Sequence, residues 1–220
     1  MTRVSKKLFC LLFFLTMPIF CGCVQLERPY PEKTNFVLST ERKTPPGESS
    51  GNTVLLVRNF NNSARIKTRS FVYRVGDLEY RSDFYNEFFG SPSDLVTEET
   101  TQWLRESGIF GLVTEDAEPQ PTHLLRGRIE ALHGDYRPGQ PPAAVLELQL
   151  TLIDDTSSIA LTVLNETYRR KIPVGERSPK ALVQGWNTAL EDILADFEQD
   201  AREALAKGAR TGPDQTHSAP

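Results

Sequence analysis

The chain has 220 residues, 39% of them hydrophobic and 25% charged, which suits one domain with a sizeable core. Its 25 basic and 29 acidic side chains leave a formal charge of −4, a balance that argues against nucleic acid as a partner and against an electrostatic grip on anionic lipid headgroups. No internal repeat at periods of about 20 to 50 residues points to a solenoid.

All cysteines of the chain, Cys10, Cys21 and Cys23, lie in one greasy run near its start. Residues 8–20 would span only about 20 Å as a helix, well short of a hydrocarbon layer of roughly 30 Å. Arg3, Lys6 and Lys7 precede the run and small residues end it, which is the layout of a secretory signal peptide. A buried helix would show a polar face, and this run has none. Its ending, "FCGC", resembles the lipobox of bacterial lipoproteins, although Phe20 and Cys21 replace the usual Leu and Ala or Ser. The resemblance implies that residues 1–22 are a signal peptide and that Cys23 is the lipid attachment site, acylated by palmitate-like chains. Each buried methylene contributes about 0.8 kcal/mol, so two or three such chains hold a protein in a membrane. A metal pair or a disulfide at Cys21 and Cys23 lacks further ligands at metal spacing and any partner cysteine elsewhere. The mature domain then carries no free thiol, which suits an oxidising envelope. Val24 stands where inner-membrane lipoproteins carry Asp, and this implies the inner leaflet of the outer membrane, facing the periplasm. Cleavage removes Arg3, Lys6 and Lys7, which leaves 22 basic against 29 acidic side chains and a formal charge of −7.

Residues 23–33 hold Pro29 and Pro31 and read as a lipidated tether. A domain is expected over 34–207. "TNFVLST" reads as a short strand, 41–52 as a loop rich in Pro, Gly and Ser, and "TVLLVRNF" as a strand buried on both faces. In "SFVYRVGDLEY", Phe71, Tyr73 and Val75 alternate before Gly76-Asp77, and Leu78 and Tyr80 alternate after it, which predicts a hairpin with Gly at the first turn position. A helix over 91–108 is expected, with Ser91 as N-cap, Pro92 at the first helical position, Asp94 as reciprocal acid and Gly108 at the end. Val96, Thr100, Trp103 and Leu104 share its inner side.

"THLLRGRIEAL" and "AVLELQLTLID" then alternate strongly. In the second, Leu146, Leu148, Leu150 and Leu152 oppose Glu147, Gln149 and Thr151, so the sheet has one wet or partner-covered face. Residues 154–158 turn the chain into "IALTVLNETYRRKI". From 178 to about 207 a long amphipathic helix places Leu182, Trp186, Leu190, Ile193, Phe197, Ala201 and Leu205 along one stripe. Residues 208–220 read as a disordered tail. The expected class is α+β, a single domain with a mostly antiparallel mixed sheet covered by helices.

Catalytic groups do not converge in this pattern. His123 and His133 are ten residues apart on one predicted strand, and His217 lies in the tail. No nucleophile motif, P-loop, dinucleotide fingerprint or metal spacing occurs, so neither an enzyme nor a cofactor or metal site is expected. Between Phe71 and Phe89, in contrast, nine aromatic or arginine side chains crowd together. Four rings, Phe84, Tyr85, Phe88 and Phe89, lie within six residues beside Asp83 and Glu87. They are read as a contact surface for identical subunits or a protein partner, not as a closed pocket.

Around these residues the chain resembles the ABC-type transport auxiliary lipoprotein family, which includes paraquat-inducible protein C. The lipobox, "NFVL", "VLLVRNF", Tyr73-Arg74 before the hairpin, Asn86, Pro92, Leu104, Ser107-Gly108 and Phe110 follow that family's order, as does the long final helix. Phe88 or Phe89 stands where the family prefers Trp, and Ser91-Pro92-Ser93 replaces its double proline. The resemblance implies a periplasm-facing, non-catalytic component of an Mce-type lipid transport system, beside an Mce-domain protein, an ABC permease and an ATPase. The alternative is a structural envelope lipoprotein that assembles surface or secretion machinery without handling lipid.

Overall fold

The computed structural model describes residues 32–47 and 51–210; the signal segment, Cys23, most of the tether and residues 211–220 lie outside the described residues. Glu32 onward belongs to one compact unit. In chain order the elements are β1 (Thr34–Phe36), β2 (Val54–Val57), β3 (Asn61–Asn62), β4 (Ser70–Arg74), β5 (Tyr80–Phe88), α1 (Pro92–Ser107), β6 (Leu112–Thr114), β7 (His123–Asp135), β8 (Ala143–Asp154), β9 (Leu161–Pro173) and α2 (Pro179–Arg210). Among the described residues the nine strands form one mixed sheet, so the domain is α+β.

β7 organises the sheet. One edge pairs antiparallel with β8 from His123↔Asp154 to Asp135↔Ala143. Its other edge is shared by three short parallel partners in succession: β2 at His123 to Leu125, β3 at Arg128 and Ile129, and β4 at Gly134 and Asp135. β8 pairs with β9 along its length, β5 continues from β4, and β1 closes the sheet beside β5. Long antiparallel ladders thus supply most of the paired residues, while the parallel pairings are two or three residues each.

Glu130 is an extra residue between the pairs Ile129↔Leu148 and Ala131↔Glu147. Because side chains alternate with a period of two, this bulge exchanges the faces of β7. Leu125, Gly127 and Ile129 point to the core before it, and Leu132 and Gly134 after it. His123 therefore lies on the core side against Phe110, whereas His133 lies on the opposite face against Tyr80. At Gly127 a Cβ would sit 2.4 Å from the Phe60 ring, so that position admits no side chain without displacing a buried aromatic.

Both helices cover one face. α2 rests on β8 and β9, and α1 lies beside it over β3, β6 and β7. The expected stripe holds: Leu146, Leu148, Leu150 and Leu152 face Leu182, Trp186, Leu190, Ile193 and Phe197, all fully buried. Each such side chain contributes about 2 kcal/mol by leaving water. Thr97, Thr100 and Thr101 are buried on α1, and their hydroxyls bond back to the carbonyls of Ser93, Val96 and Thr97.

Several local expectations change. Gly76 keeps an ordinary negative φ, and a five-residue loop closes the hairpin through Val75 and Gly76 amides to the Glu79 carbonyl. Leu78 is in that loop, 97% exposed, and not on the strand. Ser91 is the N-cap, yet its side chain makes no capping bond. Its hydroxyl pairs with that of Ser93 at 2.7 Å, and Asp94 accepts from Asn59 at 3.0 Å, so the reciprocal box does not form. Gly108 ends α1 with φ 69, as a left-handed C-cap. The short strands β3 and β6 have no counterpart in the sequence pattern, and α2 continues to Arg210, into the expected tail.

After β1, residues 38–47 cross the outer side of both helices. Amides of Ser39, Thr40 and Glu41 donate to Asn187, Glu99 and Glu191, and the Gly47 amide to the Glu106 carbonyl. Their anchor is Arg42, whose guanidinium lies over Trp103 and pairs with Glu198. Glu198 also accepts from Trp103 Nε1 at 2.9 Å and from Arg202 at 2.8 Å. Burial pushes its carboxyl up, but these donors outweigh that and hold it below the usual range. Removing one partner of such a pair strands the other, at a cost of about 3 kcal/mol. Glu198→Ala should lose about that much stability in urea unfolding, while Glu203→Ala, on the exposed side of α2, should lose almost none.

Candidate functional site

The hairpin carries the concentration of chemistry that the sequence marks. Val72 pairs with Ser82 and Ser70 with Glu87, so Phe71 alone opposes residues 83–86. Four residues against one cannot stay in a flat ladder, and β5 bulges there. Asp83 holds the bulge: Oδ1 accepts the amides of Tyr85 and Asn86 at 2.8 and 3.0 Å, and Oδ2 accepts Tyr73 Oη at 2.5 Å and Asn86 Nδ2 at 2.9 Å. Burial raises the Asp83 carboxyl, and the four donors overcome that and lower it. Tyr73 is in turn stacked on Tyr136 at 5.1 Å, and burial followed by the Asp83 charge pushes its hydroxyl above the usual range.

The bulge sorts the four expected contact rings. Phe88 is 2% exposed and packs on Phe71 at 4.7 Å and Trp186 at 5.4 Å, so it belongs to the core and not to a contact surface. It pairs with Phe36 in the β1–β5 ladder, on the face that α2 covers. Phe84, Tyr85 and Phe89 are 61%, 43% and 67% exposed. Phe84 and Tyr85 meet edge-to-face at 5.1 Å. Tyr85, Glu87 and Phe89 alternate with the inward Phe88 and share the outer face of β5, and Val37 stands exposed beside them after β1.

Glu87 is buried below this platform. Lys33 and Arg69 each reach it at 3.1 Å, and the Lys33 ammonium also lies 5.4 Å from the centre of the Phe84 ring. Three exposed rings and a valine thus surround two cations that share one carboxylate. With Asp83 in the same bulge the two cations are matched by two carboxylates, so the surface offers apolar contact with no net formal charge. Sequence pattern marked these rings but could not separate Phe88 from its neighbours, because the bulge that divides them depends on Tyr73 reaching Asp83.

Elsewhere, Asp135 is 2% exposed and held by Arg137 at 2.8 Å and Lys171 at 2.8 Å, and these donors, Arg137 first, keep its carboxyl far below the usual range. It ties the end of β7 to β9. A shallow open cleft of about 340 Å³ between β9 and α2 is lined by Val163, Leu164, Glu166, Asp200, Glu203, Ala204 and Lys207. Among the described residues no three His, Cys, Asp or Glu side chains are grouped to hold a metal, and no helix is long and apolar enough to cross a membrane.

No family model and no curated protein matches this sequence. Solved structures do match its fold. Protein XCC0632 from Xanthomonas campestris, described as family-model DUF330, is 17% identical, with a TM-score of 0.69 over 81% of this chain and 100% of that one. An uncharacterized protein is 13% identical with a TM-score of 0.63, over 77% of this chain and 99% of its own. The hypothetical protein CT253 from Chlamydia trachomatis is 9% identical with a TM-score of 0.50, over 71% of this chain and 99% of its own. The chain therefore shares the fold of these proteins over nearly their whole length.

His133 gives the site region a pH signature. Burial pushes its pKa down to about 4, Asp135 opposes this, and Arg74, Arg169 and Arg137 add to it. Its Nε2 has no partner among the described residues, as befits a neutral ring. Unfolding restores a pKa of about 6.5, so the unfolded chain binds the extra proton. Stability is then complete above about pH 6.5 and declines as pH falls toward 4, by up to about 3 kcal/mol. His133→Gln should flatten most of that slope in urea titrations, with the remainder due to His123, which burial also lowers, and, nearest pH 4, to the carboxylates of Glu198, Asp135 and Asp83 that the fold holds low. Parallel curves for the two proteins would remove His133 from the account.

Proposed function

We propose that this protein is a lipid-anchored, periplasm-facing auxiliary component of an Mce-type ABC lipid transport system, without catalytic activity of its own. Its partners in this reading are an Mce-domain protein, an ABC permease and the ATPase, and its acyl chains on Cys23 hold it to the inner leaflet of the outer membrane. The observation that carries the reading is the placement of the family-like motif residues. Tyr73 and Asn86 hold the bulge, Pro92 opens α1, Leu104 and Phe110 are buried, and Gly108 closes the helix. Residues scattered over about forty positions of sequence thus meet in one hairpin-and-helix assembly, within a fold shared with a DUF330 protein. The same assembly presents a ring platform and, among the described residues, no convergence of acids, bases and nucleophiles around a pocket, which suits a scaffold better than an enzyme.

Two measurements test this. Cells fed a palmitate analogue should label the wild-type protein and leave Cys23→Ser unlabelled; label that survives the change refutes the anchor. A tagged, lipidated protein cross-linked in cells should co-purify with an Mce-domain protein and its permease. Recovery of secretion components in their place would support the structural envelope lipoprotein and refute transport.

A further inference from the structure

We infer that the platform of Phe84, Tyr85 and Phe89 rests on the lipid bilayer that holds the protein's own acyl chains. This rests on the reading of Cys23 as the anchor. From Val24 to Glu32 the chain has nine residues, and at about 3.5 Å per residue they reach at most about 32 Å. They end at Lys33, whose ammonium lies over the Phe84 ring, and β1 begins at the next residue. The chain therefore enters the domain beside the platform, which is held within the tether's reach of the anchor.

Effective concentration then decides the occupant. A surface tied within a short tether of a bilayer meets lipid continuously, so weak contacts are occupied where a free partner at the same affinity would not be. The chemistry of the platform fits the water–lipid boundary. Aromatic rings favour that zone, and Lys and Arg stems lie along apolar surface while their charges reach the headgroups. Lys33 and Arg69 share the Glu87 carboxylate and Asp83 lies in the same bulge, so two cations are matched by two carboxylates and the platform has no net formal charge. It is matched to zwitterionic headgroups, in keeping with a mature chain whose 22 basic and 29 acidic side chains give it no long-range attraction to anionic ones. Asp83 fixes the backbone under Phe84 and Tyr85 before any contact is made, so little ordering remains to oppose it.

The test uses the mature, lipidated protein in phosphatidylcholine vesicles with brominated acyl chains. Trp103 and Trp186 are buried, so a new exposed indole can be read against them. Phe84→Trp reports the platform. Ile159→Trp reports the opposite end of the sheet, because Ile159 is 73% exposed in the β8–β9 turn beside the His123 end of β7, whereas the hairpin pairs with the Asp135 end. We expect the added emission of the Phe84→Trp protein to shift blue and to be quenched, equally in low and high salt, while that of the Ile159→Trp protein is unaffected. Asp83→Ala combined with Phe84→Trp should lessen the quenching while the protein still floats with the vesicles. If the Phe84→Trp protein floats and its new indole is not quenched, the platform is overturned and the anchor stands; cross-linking into dimers in that case assigns the rings to a second copy. Equal quenching in the two variants overturns the platform as well. Protein that fails to float refutes the anchor itself, and this inference with it.

Discussion

Everything in the sheet depends on the need to satisfy both edges of β7. A thirteen-residue strand carries backbone donors and acceptors on each side, and in a buried position they must be paired. β8 satisfies one edge in a single antiparallel ladder. Among the described residues no strand before β7 is long enough to satisfy the other, so β2, β3 and β4 divide it. Their connections then have to leave the sheet between pairings, and these excursions carry the loop 58–60, the turn before β4 and the whole β4–β5 hairpin. The hairpin can lean away from the sheet because only Tyr73 and Arg74 attach β4 to β7.

That loose attachment explains how one short stretch can serve two purposes. Residues 86–88 are pinned between β4 and β1, which sends Phe88 into the ring cluster with Phe71 and Trp186. Residues 83–85 have no strand partner on either side among the described pairings, and the Asp83 carboxylate replaces the missing ladder. A carboxylate that accepts two amides and two side-chain donors restores most of the satisfaction a strand would supply. The outward rings are therefore held by polar bonds beneath them, and the inward ring by apolar contact.

The long elements were legible in the sequence because each rests on a period. Alternation over 144–154 and the stripe from Leu182 to Ala201 each bury one face, and burial follows the period wherever an element is long enough to average over local exceptions. The class, the order of the main elements and the helix-covered face follow from that. What was not legible depends on partners far away in sequence. β3 and β6 are too short to show a period and exist because β7 and β2 need neighbours. Leu78 looked like a strand residue because the alternation continued through it, whereas the loop closes by Val75 and Gly76 amides and turns it out. The capping box failed because Asn59 and Ser93 compete for Asp94 and Ser91. Among the rings, exposure could be expected of some but not assigned.

The motif residues make the relation between fold and role sharper. Tyr73, Asn86, Pro92, Leu104, Gly108 and Phe110 shape or bury structure, and none of them projects a reactive group into a cleft. A resemblance carried by such residues speaks for the scaffold, and the role must be read from what the scaffold leaves outside. Here that is a ring platform beside Lys33, where the chain enters β1, an open polar sheet face along β7 to β9, and a second group of exposed apolar side chains, Leu112, Ile159 and Leu161, at the other end of the sheet. Under the proposed lipid contact, the open face and that far end are the surfaces the fold leaves for a protein partner.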